Sequence, residues 1–392
     1  MFVDPGSTER IVYTDTSRVF FSHDGGKKFT QVYESSWEGG LYLGGALWQG
    51  RDIYLGTSDG MIVSHDGGAS FALDAGFDGI SDDESIVSFA ATSKNGATRF
   101  YAVTFFNRDE AGNPQVTVDT TGGDLDISGG VYALTLPSKH WVAQAVAHAA
   151  DEKFSFVAAA SDHPDAVYVA GGSRSQPHIA PIIRKTRDGG RIWHDVFRTV
   201  HNENIATGWS DDGGDMSWEF GEYPLGFAVA PNDPDRVILT DLGFVHVSGD
   251  GGRTFQQAYV APRDQNPAGA DTPPSRYYHT SGVEPTSYWY LTWADAKTIF
   301  ASVTDIRSAR SIDGGHSWSR DGRNGQDLNT TYHVIKHPRT GVLYGANSSV
   351  HDLYQSSTLR DSRIDGTAAR PARGQVITHG TADRRGSPSC QH

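Results

Sequence analysis

Cysteine is almost missing from this chain. The one thiol, Cys390, stands near the C-terminus, so no internal disulfide can staple the fold and cysteine usage argues neither for nor against export. Long apolar runs are missing too. No stretch approaches the ~20 residues that a membrane-spanning helix needs. Basic charge is in deficit: Lys plus Arg number 33 against 47 Asp plus Glu, a formal net charge of −14. Such a chain repels phosphate backbones and anionic lipid surfaces, which argues against nucleic-acid and membrane partners. The opening MFVDPGSTER has neither a basic n-region nor an apolar h-region, so it does not read as a signal peptide. What is present is turn chemistry. Forty-five glycines and nine tryptophans among 392 residues, with few long charged runs, suit short strands joined by tight turns. The length is normal for one large all-β repeat domain.

One string recurs in altered form. It reads SHDGGKKF from Ser22, SHDGGASF from Ser64, TRDGGRIW from Thr186, SGDGGRTF from Ser248 and SIDGGHSW from Ser311. The pattern is Ser/Thr-x-Asp-Gly-Gly-x-x-aromatic. The Ser-His-Asp order of the first two copies suggests a hydrolase triad, but the histidine is replaced by Arg187, Gly249 and Ile312 in the others. The remaining positions have mechanical roles. Asp24, Asp66, Asp188, Asp250 and Asp313 can accept hydrogen bonds from amides of their own turns. The paired glycines permit positive φ in a tight hairpin. The aromatic can pack inward as the next strand starts. These residues resemble the Asp-box, or BNR, repeat of sialidases, xyloglucanase-type glycosidases, sortilin-like receptors and photosystem assembly factors. The resemblance implies a turn between the third and fourth strands of a β-propeller blade. It is informative about fold and poor at naming a function. By family resemblance alone, an extracellular or periplasmic, secreted protein is expected.

A second repeat gives the blade count. VDPGSTERIVY, WQGRDIYL, SKNGATRFYAV, SDHPDAVYV, PNDPDRVIL, ADAKTIFA and HPRTGVLY are seven hairpins of one kind. They predict an all-β fold, a single β-propeller of seven four-stranded blades, over 1–359. Residues 360–392 then form a polar C-terminal tail or an incomplete closing strand. The blade near 85–153 has no recognisable box, and HDLYQSS reads as the third strand of blade seven.

Strands alternate in direction, so the 1–2 and 3–4 turns share one edge of each blade. The 2–3 turns and the links between blades share the other. The boxes lie on the first edge. The long insertions, 106–130, 196–223 and 259–287, lie on the second, which is therefore the expected working face. On it the turns TDTSRVF, TSDGMIV, TDLGFVH and TDIRSAR offer Asp15, Asp59, Asp241 and Asp305, while blade four offers Arg174 and His178. Carboxylates there would bind a cation, exchange protons with a glycosidic oxygen, or simply brace Asx turns. TDLGF and TDIRSARS resemble the Asp-Ile/Val-Gly turn of xyloglucanase-type glycosidases. In that family two such aspartates act as general acid and general base of inverting hydrolysis. The resemblance implies catalytic roles for Asp241, which keeps Gly243, with Asp305 or Asp15 as partner, although Asp305 is followed by Arg307 where glycine belongs. That family builds two propellers with a cleft between them, whereas this chain reads as one. Arg174, Arg276 and Arg307 do not form a recognisable sialidase triad.

The two late loops add flat rings beside acids. Trp209, Trp218 and Trp289 are candidate sugar platforms, with Arg276, Tyr278 and His279 as further substrate-binding groups. Tyr278 and His279 could also serve as the base and acid of a lyase. The alternative is a pair of packed loops with a solvated acidic rim. DDGGD over 211–215 offers oxygen ligands for a structural Ca²⁺, without EF-hand spacing. No other cofactor is implied. Two functions are open at this point: a glycoside hydrolase-like propeller acting on a poly- or oligosaccharide, and a non-catalytic propeller that binds a protein or glycan.

Overall fold

In a computed structural model, the structure describes residues 1–108, 127–174, 179–209, 218, 224–241, 243–273, 276–281, 287–304, 308–319, 330–348 and 364–369. The chain is all-β, and among these residues helical structure is confined to short 3-10 turns such as Val200–Asn202 and Pro262–Asp264. The strands form antiparallel sheets in chain order. The first sheet is Phe2–Asp4, Ser7–Thr14, Arg18–Ser22 and Thr30–Glu34. The second is Leu43–Gln49, Asp52–Thr57, Gly60–Ser64 and Ala72–Leu73. The third is Glu84–Lys94, Ala97–Phe106, Ser128–Thr135 and Val142–Ala143. The fourth is Glu152–Ala159, Val167–Ser173, Ala180–Thr186 and His194–Asp195. The fifth is Gly226–Ala230, Asp233–Thr240, Val245–Ser248 and Phe255–Gln257, with a two-residue strand, Ile205–Ala206, at its edge. Two three-stranded sheets follow: Tyr288–Trp293, Ile299–Val303 and Ser308–Ser311, then Thr330–Lys336, Leu343–Ser348 and Ile364–Ala369. All seven hairpins expected from sequence join the first two strands of a sheet. HDLYQSS lies outside the described residues, and the third strand seen in the last sheet is Ile364–Ala369.

The chain divides into two compact units: Met1–Ile205 with Trp218–Gln256, and Ala206–Ser217 with Gln257–His392. In the first unit, Leu43–Gln49 lies beside Glu84–Lys94, which lies beside Glu152–Ala159, which lies beside Gly226–Ala230. Period-two alternation explains why the sheets stack. On Ala97–Phe106, Phe100 and Ala102 join Tyr54, Met61 and Trp141 in the core facing the second sheet. Tyr101, Val103 and Phe105 point the other way and join Val157, Val169 and Trp193 of the fourth. Ile53 and Leu55, both fully buried, pack towards Val12 and Phe21 of the first sheet. Each such side chain contributes about 1.5–3 kcal/mol on leaving water. In the second unit, Ala294, Phe300, Val334 and Leu343 form a smaller cluster between its two sheets.

The five Asp-Gly-Gly turns share one geometry. The hydroxyl of Ser22, Ser64, Thr186, Ser248 or Ser311 donates to its aspartate at 2.8–2.9 Å. The same hydroxyl accepts from the second glycine's amide at 2.8–3.0 Å. The aspartate in turn accepts the amide four residues on, at 2.9–3.0 Å. All ten glycines have positive φ, between 71° and 100°. The first glycine's amide donates to a carbonyl in the 1–2 hairpin of its own sheet: Glu9, Arg51, Asp165, Asp235 or Lys297. That bond puts the 1–2 and 3–4 turns on one edge. The histidine is incidental to all of this: His65 only meets Asp52, at 2.8 Å on the surface.

Candidate functional site

On the opposite edge of the first unit, turns and links are stitched by backbone bonds. Ser35 and Leu41 amides donate to Ser17 and Thr16 carbonyls of the first sheet's 2–3 turn. The Ser58 amide donates to Tyr42, and the Ser85 hydroxyl reaches the Ser58 carbonyl at 3.0 Å. This edge carries the candidate aspartates. Asp241 is 8% exposed, and its Oδ1 accepts the amides of Gly243 and Phe244 at 2.8 and 2.6 Å. Asp15 repeats that Asx geometry with Ser17 and Arg18 amides at 2.9 and 2.7 Å. Its other oxygen is taken by the Arg18 guanidinium at 2.6 Å. The Ser17 amide, and after it the Arg18 side chain, hold the Asp15 carboxyl below its ordinary value. An ionised, ion-paired Asp15 is therefore a poor proton donor. Asp59 departs from the pattern. It accepts the Tyr33 and Ser35 hydroxyls at 2.7 and 2.9 Å, tying the preceding link to its own turn. Asp305 and Arg307 lie outside the described residues, as do His178 and the DDGGD segment.

Trp218 corrects an expectation. Its ring is 1% exposed, packed edge-on against Phe197 at 5.3 Å and tilted over His246 at 5.3 Å. Its indole N–H donates to Asn202 Oδ1 at 2.8 Å. A ring enclosed in this way is core, and no face of it is open to a sugar. Burial pulls His246 down to about 3, so that histidine is neutral in the folded chain.

In the second unit, Asn266 is the hub of the late loops. Its amide donates to the Gly208 carbonyl at 2.6 Å, and its Oδ1 accepts Arg276 at 2.8 Å. Tyr278, 2% exposed, meets the same side chain through its hydroxyl and lies under the Arg276 guanidinium at 4.9 Å. Trp209 stands edge-on to buried Tyr259 at 5.7 Å. His279 is engaged elsewhere, on Asp264, through its amide at 2.6 Å and its ring at 2.8 Å. Burial works to raise Asp264, and the His279 amide and ring outweigh it, leaving that carboxyl below its ordinary value. Arg276 and Tyr278 thus brace the loop, and Tyr278 and His279 are held by different partners, not presented as a base–acid pair. Trp289 differs from Trp218. It is 38% exposed, with its indole N–H fixed on Thr304 Oγ1 at 2.7 Å. Tyr288, Tyr290 and Trp293 on the same strand are exposed as well.

Sequence reasoning missed a cavity of about 620 Å³ on the stitched edge of the first unit, between the second and third sheets. Met61, Ile86 and Trp141, all buried, give it an apolar floor. Tyr33 comes from the last strand of the first sheet, Trp37 from the link that follows it, and Asp82 and Asp83 from the next link. The signals were SSWEGG and SDDES, two short links that look like spacers because each carries only one part of the lining.

No family model matches the chain, and no curated protein matches its sequence. Solved structures do match. Over 91% of its length the chain is similar to 45% of an ancestral GH74 enzyme, with a TM-score of 0.59 and 19% identity. Over 97% of its length it is similar to 50% of the GH74 xyloglucanase from Xanthomonas campestris, with a TM-score of 0.56 and 14% identity. The likeness to YCF48 from Cyanidioschyzon merolae is lower, with a TM-score of 0.37 and 12% identity over 88% of this chain and 90% of that one. The chain spans about half the length of the two GH74 enzymes. What it shares with those two is the fold, that of the β-propeller.

Proposed function

We propose that this chain is a carbohydrate-active propeller of the glycoside hydrolase type, acting on a poly- or oligosaccharide, with Asp241 as an acid/base group. We also read its sheets as seven blades of one propeller and its Asp-Gly-Gly turns as Asp-boxes. The observation that carries the functional reading is the setting of Asp241. Two amides, from Gly243 and Phe244, fix one carboxylate oxygen, and burial restricts the group further. A general acid or base must be held in direction before its proton affinity matters, and two amide bonds to one oxygen supply that direction at Asp241. The GH74 likeness supports the same reading at the level of fold. In the other unit, the exposed aromatic strand around Trp289 suits stacking on pyranose faces.

The test is a polysaccharide panel read by reducing-end release. Asp241→Asn retains an amide oxygen that can accept from Gly243 and Phe244, so the variant should melt like the parent. Turnover should fall by roughly 10²–10⁴-fold, the usual worth of a positioned acid or base. Unchanged turnover in the variant would remove Asp241 from the site. No release from any glycan by the parent chain would overturn the hydrolase reading.

A further inference from the structure

We propose that the 620 Å³ cavity between the second and third sheets binds an organic cation, an amine or guanidinium carried on an apolar stem. This inference is independent of the hydrolase reading and of Asp241.

Size and lining select the ligand class. The volume suits a small molecule or one long side chain. The floor of Met61, Ile86 and Trp141 is apolar and buried, so it favours a ligand with an apolar body. The rim is anionic. Asp59, Asp78, Asp82, Asp83 and Glu84 line the cavity, and Arg108 is the one cation among the described lining residues.

Hydrogen bonds hold several of these carboxylates in place. Glu84 accepts hydroxyls from Thr104 and from Tyr132, the latter at 3.0 Å. Asp59 accepts hydroxyls from Tyr33 and Ser35. A hydroxyl donor orients a carboxylate without neutralising it. Asp78 is turned to His140 at 2.6 Å. Asp82 and Asp83 stand exposed at the mouth, on a turn closed by the Ser81 hydroxyl and by the Asn107 side chain on the Asp82 carbonyl.

The described residues hold no group of three or more acids, histidines or cysteines set to grip a metal ion. The negative charge is spread along a rim, which suits a cation with a body more than a bare ion. Tyr33 and Trp37 stand in the lining, and aromatic faces attract ammonium and guanidinium groups. Trp37 is folded back on Gly39, where a Cβ would stand 2.2 Å from the ring, so the link itself fixes the indole.

One chemistry has two sources here, a free amine and a Lys or Arg side chain of a peptide. Calorimetric titration of the full chain separates them. The probes are phenethylamine, the peptide acetyl-Ala-Lys-Ala-amide, N-acetylphenethylamine as the uncharged control, and cellotetraose. We expect one saturable site for the two cations and none for the control or the sugar. Affinity should fall at least tenfold in Asp82→Asn/Asp83→Asn, whose exposed positions spare the fold, and should weaken between 50 and 500 mM salt. Asp241→Asn should leave it unchanged. Tighter binding of phenethylamine would assign the site to a free amine, and tighter binding of the peptide would assign it to a protein partner. Equal binding of the acetylated control, preference for cellotetraose, or no saturable binding of either cation would each overturn the proposal.

Discussion

Adjacent glycines in one turn do different work. Gly67 and Gly68 both have positive φ, 83° and 99°. A Cβ on Gly67 would meet nothing within 4 Å, whereas one on Gly68 would stand 2.4 Å from the ring of Phe21. Phe21 is 1% exposed and part of the core between the first two sheets. Gly67→Ala therefore costs only the left-handed backbone, about 1–2 kcal/mol, while Gly68→Ala adds an overpacked core and costs roughly 3 kcal/mol or more. Urea midpoints for the two variants should separate accordingly, and equal midpoints would contradict the packing account. The sequence announced both glycines but not this difference, because the ring that distinguishes them comes from the preceding sheet. The same limit explains Trp218. Its neighbours in sequence are acidic and polar, whereas its neighbours in space, Phe197, Phe244 and His246, are drawn from three other positions.

Elements were largely legible where local chemistry decides them. Period-two alternation and turn residues located the seven hairpins, and the box pattern located the 3–4 turns. The cavity was not legible, since it is built from links of different sheets. Nor was the environment of the strand Val245–Ser248, where His246 is fully buried among aromatic rings. That burial has a pH consequence. The folded-state value is lowered from 6.5 to about 3, so the unfolded chain takes up this proton first. The stability of neutral His246 is complete above pH 6.5 and is lost as pH falls towards 3. Between pH 7 and 5 the loss is about 2 kcal/mol. Chemical denaturation at both values should show it, and His246→Phe should flatten the slope whatever its own baseline cost. A variant with the parental slope would assign the pH dependence to other groups. The turn aspartates act in a different window. The Ser70 hydroxyl, and after it the Ser70 amide and Ser64, hold Asp66 below its usual 3.8, so that contribution is present above 3.8 and fades only in stronger acid.

At the scale of the molecule, the acidic balance and the strand repeats set the class, while the division into two compact units was not visible in a run of similar hairpins. The units differ in apolar support among their described residues. The first holds three extended clusters between successive sheets, and the second holds the four-residue cluster around Phe300 and Val334. Local opening follows the density of buried apolar contacts. Hydrogen exchange should therefore protect Val167–Ser173 and Asp52–Thr57 more strongly than Ile299–Val303, and equal protection would contradict this ordering. The Asp-Gly-Gly turns carry a last consequence, for how such a chain can grow. Their hydrogen bonds close within one sheet, yet the second glycine of three of them leaves room for the sheet before it: Gly68 for Phe21, Gly190 for Gln144 and Gly252 for Val196. A sheet that carries such a glycine therefore arrives with its own lock and with a socket for its predecessor. Copying in tandem preserves the joint, whereas shuffling the order would set each socket against the wrong key.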